Sequence, residues 1–352
     1  MNEDRRAAAL AAFALTDMTR RAQGNALDLL GFGPQEQPYR VIASAPCWRL
    51  RYYGGFDLNP PLLIIAAPIK RAYIWDLMPS ASPIRFLLDR GLHVYLLEWQ
   101  PPPCGAGTAG LEFYADRGIA ECVKRLASEH KTRPFLVGHS LGGSLAAIYA
   151  ALHARSIRGL LVLGAPLCFQ PHSSEFRDAV VAMAPLLLTQ SAVVPGSAIS
   201  QLSAWASPDT FVWSRLIDEA FSSLDRRAAE RCMRVERWAL DEVALSGLLV
   251  RQVVQWLYQE NRLCRGTLRL HGKTISPATA RVPTFAVVNA ADAIAPRSSA
   301  EPFLNHIPVR DAQLLEFAGE TGVGLQHVAL LVGPRAHAEV WPAIAGWIEA
   351  HG

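Results

Sequence analysis

The sequence predicts a doubly wound α/β fold, with a mostly parallel sheet and a helical insertion between two of its late strands. Three observations predict it. Short apolar runs alternate with helical patterns from about residue 60 onward. A serine flanked by glycines stands between one such run and a helix. The alternation stops near residue 169 and resumes near residue 281. Apolar runs without polar alternation suit strands covered on both faces by helices.

Taken in order, residues 1–31 read as a helix. Leu10, Phe13, Leu15, Met18, Ala22, Ala26, Leu29 and Leu30 recur at helical spacing, and Gly31 and Gly33 end it. This helix is expected to dock on the body of the protein. Strands are expected at 62–66, 92–97, 135–137, 160–163, 284–288 and 314–317, each an apolar run. Helices are expected at 82–89, 110–130, 144–154 and 337–350. The intervening 169–280 carries Trp205, Phe211, Trp213, Trp238, Trp256 and Tyr258 in mostly helical patterns and reads as an insertion between two strands of one sheet, not a separate tandem domain. The chain therefore divides into an N-terminal helical segment (1–39), a core (40–168 and 281–352) and the insertion (169–280).

Composition narrows the function. The 352 residues include 34 Lys and Arg against 31 Asp and Glu, a net charge of +3. That balance argues against a nucleic-acid binder, which concentrates basic charge on one face. With 51% hydrophobic and 18% charged residues, the chain is no disordered segment. Cysteines stand at 47, 104, 122, 168, 232 and 264, without a C-x-x-C pair, and read as reduced, buried thiols. The N-terminus carries no continuous apolar run of the secretory kind, so a cytoplasmic enzyme is expected. Residues 179–208 carry no charge, yet Pro185, Pro195, Gly196, Gln190 and five serines interrupt them. They read as a buried or mobile apolar segment rather than a transmembrane helix.

The sharpest motif is Gly138-His139-Ser140-Leu141-Gly142, a G-x-S-x-G between strand 135–137 and the helix that follows. Such a turn holds the serine on a strained elbow with its hydroxyl exposed above the sheet. Side chains at Gly138 and Gly142 would collide with the neighbouring strand and helix. The Leu141 N–H, at the helix N-terminus, can donate to an oxyanion. His139 faces away from the serine and reads as a packed core histidine.

A serine needs a base, and the base needs an orienting acid. In this strand order the acid comes first and the histidine second. His327 falls in the loop after strand 314–317, at the carboxyl end of the sheet where site loops converge. His306, His337 and His351 are less well placed. Asp292 follows strand 284–288 and is the expected acid, with Glu316 and Glu320 as fallbacks. The loop after 62–66 should supply a second oxyanion donor, the Ile69 or Lys70 N–H. Lys70 and Arg71 could also attract a phosphate-bearing acyl donor such as a CoA thioester. No H-E-x-x-H, Cys/His cluster or G-x-G-x-x-G indicates a metal or a dinucleotide cofactor.

Four further stretches carry a likeness. They are Tyr73-Ile74-Trp75-Asp76-Leu77-Met78-Pro79, the strand Gly91 to Trp99, Leu257-Tyr258-Gln259-Glu260-Asn261-Arg262-Leu263, and Asp292-Ala293-Ile294-Ala295-Pro296. With these the chain resembles the polyhydroxyalkanoate synthase family of the α/β-hydrolase superfamily, over roughly residues 40–350. The resemblance implies the α/β-hydrolase fold and a Cys-Asp-His triad whose cysteine carries the growing acyl chain. By position those roles fall on Ser140, Asp292 and His327. Here serine replaces the cysteine, and Gln326 replaces the glycine that usually precedes the histidine.

Together these readings predict a serine acyl hydrolase or acyltransferase acting on hydroxyacyl esters or thioesters. The alternatives are a polyhydroxyalkanoate synthase that polymerises 3-hydroxyacyl-CoA through serine, and an intracellular polyester depolymerase. An intact Ser-His-Asp set argues against a non-catalytic granule-surface or partner-binding relative. Lys70, Tyr73 and Trp205 are the candidate substrate-binding side chains. The family resemblance makes the insertion 169–280 a cap over the site. Its uncharged stretch should line an acyl tunnel under a lid, or else form a homodimer surface through the cap. No cofactor, nucleic acid or membrane span is expected; an acyl-CoA would be substrate.

Overall fold

The computed structural model describes residues 3–56, 60–103, 109–187, 192–308 and 311–352. Its main sheet has eight strands: β1 (Arg40–Ala45), β2 (Trp48–Gly54), β3 (Pro61–Ile65), β4 (His93–Trp99), β5 (Phe135–His139), β6 (Gly159–Leu163), β7 (Thr284–Asn289) and β8 (Ala312–Phe317). They lie in the order β1-β2-β4-β3-β5-β6-β7-β8. β2 runs antiparallel to β1 and β4, and β3 to β8 are mutually parallel. With helices on both faces this is the α/β-hydrolase architecture.

The six parallel strands coincide with the six apolar runs. Every residue of β3, β4, β5, β6 and β7 is buried. Successive side chains divide between the two faces. Leu63 and Ile65 join the core layered under α3 (Gly118–His130) and α4 (Leu141–His153). Leu62 and Ile64 join the opposite core, which includes Leu87 of α2 (Pro83–Leu88) and Trp341 of the C-terminal helix Pro334–Ala350. Local sequence explains these helices. Ser82 caps α2 by accepting the Arg85 N–H, with Pro83 at the first helical position. Ile119, Cys122, Val123 and Leu126 give α3 one buried stripe.

β1 and β2 had no counterpart in the apolar pattern. Arg40, Arg49 and Arg51 interrupt it, and this antiparallel pair lies at the edge of the sheet. Arg51 is nonetheless buried, because Glu98 and Glu36 accept hydrogen bonds from its guanidinium.

Between β6 and β7 the chain leaves the sheet. It forms α5 (Glu175–Ala182), α6 (Gly196–Ala206), α7 (Ser214–Ser222), α8 (Arg226–Ala239) and α9 (Gly247–Gln252) before returning. The last stretch of this insertion belongs to the α/β body: Leu263, Leu268, Leu270 and Ile275 are buried in the same core as α4. The N-terminal helix α1 (Glu3–Leu29) docks on the cap. The Ser197 hydroxyl donates to the Phe13 carbonyl at 2.7 Å, and the Arg20 guanidinium holds Glu242 at 2.9 Å. Of the uncharged stretch, 188–191 lie outside the described residues. No helix among the described residues is long and apolar enough to cross a membrane.

The cysteine expectation is corrected. Cys168 and Cys264 form a disulfide across 96 residues. The pair meets because the Phe169 N–H donates to the Asn261 side chain at 2.8 Å, which lays the turn after Asn261 on the loop after β6. Cys47, Cys122 and Cys232 are free and buried, and Cys104 lies outside the described residues.

Candidate active site

β5 delivers Ser140 to the carboxyl edge of the sheet and α4 begins directly after it. Ser140 has φ +55°, a left-handed conformation rare for a residue with a side chain. The elbow is tight enough to require its glycines. A Cβ on Gly138 would lie 2.6 Å from the Gly142 carbonyl oxygen, and one on Gly142 would lie 2.2 Å from the Ile65 carbonyl oxygen. Both obstacles are backbone and cannot swing aside. Gly142→Ala is therefore expected to lower stability by about 1–3 kcal/mol or more. Denaturant unfolding checks this; an unchanged midpoint would contradict the packing argument.

His327 and Asp292 complete a linear relay. The Ser140 Oγ lies 2.7 Å from His327 Nε2, and His327 Nδ1 lies 2.7 Å from Asp292 Oδ2. Asp292 is 2% exposed. Burial acts to raise its titration, but the His327 ring, its hydrogen bond and the Ile294 N–H together hold the carboxyl below its ordinary value. The carboxylate thus stays ionised beside the imidazole. The fallback acids have other work. Glu316 pairs with Arg297, and Glu320 accepts the Arg335 and Ala336 N–H groups at the start of the C-terminal helix.

Several partners fix the histidine loop. His139 lies 2.7 Å through Nε2 from the His327 carbonyl, which a neutral ring can serve as donor. Asn289, at the end of β7, donates to the Gln326 carbonyl and accepts the Ala291 N–H, so one side chain ties the histidine loop to the acid loop. Gln326 donates in turn to the Glu320 carbonyl. His139 is buried, but it does not face away from the site as expected: it borders the same cavity as Ser140, its ring centroid lies 4.7 Å from that of His327, and it makes a positioning contact that the sequence did not reveal. Burial, aided by the His327 ring, pushes its titration down to about 3. Its native value is thus below its unfolded value of ~6.5, so the unfolded chain binds more protons between them. Stability should accordingly fall as pH drops from about 6.5 toward 3. Denaturant unfolding across that range should show a shallower fall in His139→Gln; equal slopes in the two proteins would contradict it.

Ser140, Leu141 and His327 border a cavity of about 460 Å³. Apolar cap residues cover it: Phe176, Val180, Met183, Leu202 and Trp238 among them. Residues of the uncharged stretch therefore line the cavity. Ile69 also borders it, and its carbonyl is anchored by the Val243 N–H of the cap at 3.1 Å.

The three candidate substrate-binding side chains fare differently. Lys70 reaches the cavity wall, but its ammonium is engaged by Glu242 at 3.1 Å and by the Ala239 carbonyl. Burial lowers its titration to about 8 against the pull of Glu242. Tyr73 is corrected: it is buried away from the cavity lining, with its hydroxyl accepting from Arg237. Trp205 is corrected too. It is 62% exposed and outside the lining, whereas Leu202, one turn earlier on α6, is buried and lines the cavity.

Residues 112–320, more than half of the chain, match the Hydrolase_4 family, described as serine aminopeptidase, S33. The chain belongs to the Hydrolase_4 family. It is an α/β-hydrolase-type enzyme related to polyhydroxyalkanoate polymerases. The poly(3-hydroxyalkanoate) polymerase subunit PhaC of Haloferax mediterranei is 27% identical over 342 residues, covering 95% of this chain and 68% of that protein. The subunit of the same name from Thiocystis violacea is 25% identical over 298 residues, covering 84% of this chain and 82% of its own length. A solved soluble variant of Saccharomyces cerevisiae monoglyceride lipase superposes with a TM-score of 0.56 at 18% identity, over 90% of this chain and 98% of the lipase. That likeness bears on the fold alone. The relay of this Hydrolase_4 member thus sits on strand ends of a shared architecture.

Proposed function

We propose that this protein is a serine acyl hydrolase or acyltransferase that acts on hydroxyacyl esters or thioesters through a covalent acyl-enzyme. The observation that carries the reading is the Ser140–His327–Asp292 relay facing an apolar cavity. In the first half-reaction the Ser140 Oγ attacks the substrate carbonyl carbon while His327 Nε2 takes the hydroxyl proton. Asp292 holds the ring in the tautomer that leaves Nε2 free to accept, and offsets the charge of the imidazolium. The Leu141 N–H, at the start of α4, and the Ile69 N–H are assigned to the oxyanion. Collapse breaks the carbonyl–oxygen or carbonyl–sulfur bond, and His327 returns the proton to the departing alcohol or thiol. Water or an alcohol, deprotonated by His327, then releases the acyl group, and Ser140 recovers its proton.

The nucleophile separates this reading from the second one. Polymerisation through serine is favoured by the names of the related subunits. Yet an oxyester is formed less readily from a thioester than a thiolate adduct is, because the serine hydroxyl is a weak nucleophile until a base takes its proton. Hydrolysis requires only that water reach the acyl-enzyme. Purified protein incubated with a 3-hydroxyacyl-CoA, with free thiol and product mass followed together, distinguishes the two. Thiol release with monomeric hydroxyacid supports the hydrolase. Thiol release with oligomers supports the polymerase. Absence of thiol release, with cleavage of simple acyl esters, places the substrate among preformed esters and polyesters.

A further inference from the structure

The loop that carries His327 is held from above by the cap, through a carboxylate remote from it in sequence. Asp218 lies on α7 and is 8% exposed. Its two carboxylate oxygens accept three consecutive backbone N–H groups, those of Gly322 at 2.5 Å, Val323 at 2.8 Å and Gly324 at 2.5 Å. From the neighbouring helix α8, Arg231 Nε donates to the Gly322 carbonyl at 2.8 Å. The backbone of 322–324 is thus bound on both its donor and its acceptor sides by the cap.

The loop is shaped for this contact. Gly322 and Gly324 have φ of +80° and +72°, conformations that favour glycine. A Cβ on Gly322 would lie 3.3 Å from Ala228, and one on Gly324 would lie 3.3 Å from Val235, both on α8. The close approach leaves little room for the loop to slide. Charge-assisted hydrogen bonds to a buried carboxylate are also stronger than neutral ones. Three residues beyond Gly324 stands His327.

We propose that Asp218 is a positioning residue for His327 and couples the cap to the catalytic base. The inference rests on the reading of His327 as that base. The helix that supplies Asp218 also supplies Arg215 to the cavity wall, and α8 supplies Trp238 and Ala239. The same two helices therefore cover the substrate and hold the base. Displacement of the cap would withdraw the Asp218 carboxylate from the three loop N–H groups it accepts, while leaving the side chain of Ser140 on its own elbow. The relay would then be fully assembled only beneath a seated cap.

The test uses Asp218→Asn, which keeps one acceptor oxygen, and Asp218→Ala, which keeps none. Wild type and variants are compared for kcat and KM on an acyl ester, for the rate of inactivation by a serine-directed phosphonate, and for unfolding midpoint. A misplacement on the 1 Å scale at a reacting group costs up to ~10²-fold. Asp218→Asn is expected to lower kcat and the inactivation rate together by roughly 10-fold, with KM changed less than about twofold and Asp218→Ala lower still. Wild-type inactivation by the phosphonate shows first that the serine site itself is competent. If wild type reacts and Asp218→Asn reacts at the same rate, the coupling is overturned and the site reading stands, whatever happens to the unfolding midpoint. If wild type does not react, the site reading fails and the coupling with it. Should the Asp218 variants not fold, Arg231→Gln removes the Gly322 contact from α8 and is read on the same criteria.

Discussion

Ser140→Ala is expected to lower kcat/KM on acyl substrates by on the order of 10⁴-fold or more while leaving the fold intact. The size follows from what is lost. Without Oγ no acyl-enzyme can form, and only direct attack by water on a bound substrate remains. Stability should change by no more than about 1 kcal/mol, the net worth of the single hydrogen bond to His327. The backbone strain at φ +55° is the same for alanine as for serine, so it cancels between the two proteins. Steady-state kinetics with an activated ester, beside a denaturant curve, reads both quantities. A variant that kept a tenth of the wild-type rate would remove Ser140 from the mechanism.

Asp292→Asn should be the second most damaging change, with kcat lower by roughly 10³- to 10⁴-fold. A carboxylate can only accept, so it forces the proton of a neutral His327 onto Nδ1 and leaves Nε2 free for Ser140. An amide can donate to Nδ1 instead. The ring proton then sits on Nε2, where it faces Ser140 and blocks proton abstraction. A second consequence concerns pH. The Asp292 carboxyl titrates below its ordinary value in the folded protein. Its contribution to stability is therefore fully present above about pH 4 and is lost as pH falls through the lower native value. Asp292→Asn lacks that contribution. The stability gap between wild type and variant should accordingly narrow between pH 7 and pH 3; a gap that widened on acidification would contradict the ionised carboxylate.

The parts of the molecule that were legible in sequence are those specified locally. Strands β3 to β8 declared themselves as apolar runs because five of the six are buried along their whole length. The elbow was legible because the turn needs glycine at fixed offsets from Ser140, and the order of acid and histidine then pointed to Asp292 and His327. What stayed hidden depends on distant partners. Arg51 is a buried strand residue only because Glu98 and Glu36 meet it. Cys168 finds Cys264 only after the insertion has folded back. Tyr73 and Trp205 carry the apolar surface expected of a substrate contact, yet packing sends one toward Arg237 and the other toward solvent. Asn289 and Asp218 bind backbone groups of a loop that is remote in sequence. No local pattern distinguishes such residues from a turn asparagine or a solvated helix aspartate.

The central claim is that Ser140 forms the covalent intermediate. The most direct measurement is mass spectrometry of the intact protein and its peptides after reaction with a fluorophosphonate. The account predicts one adduct per chain, on Ser140, lost in Ser140→Ala and formed much more slowly in Asp292→Asn. An adduct on another residue, or none under conditions where the protein still turns over ester, would contradict it.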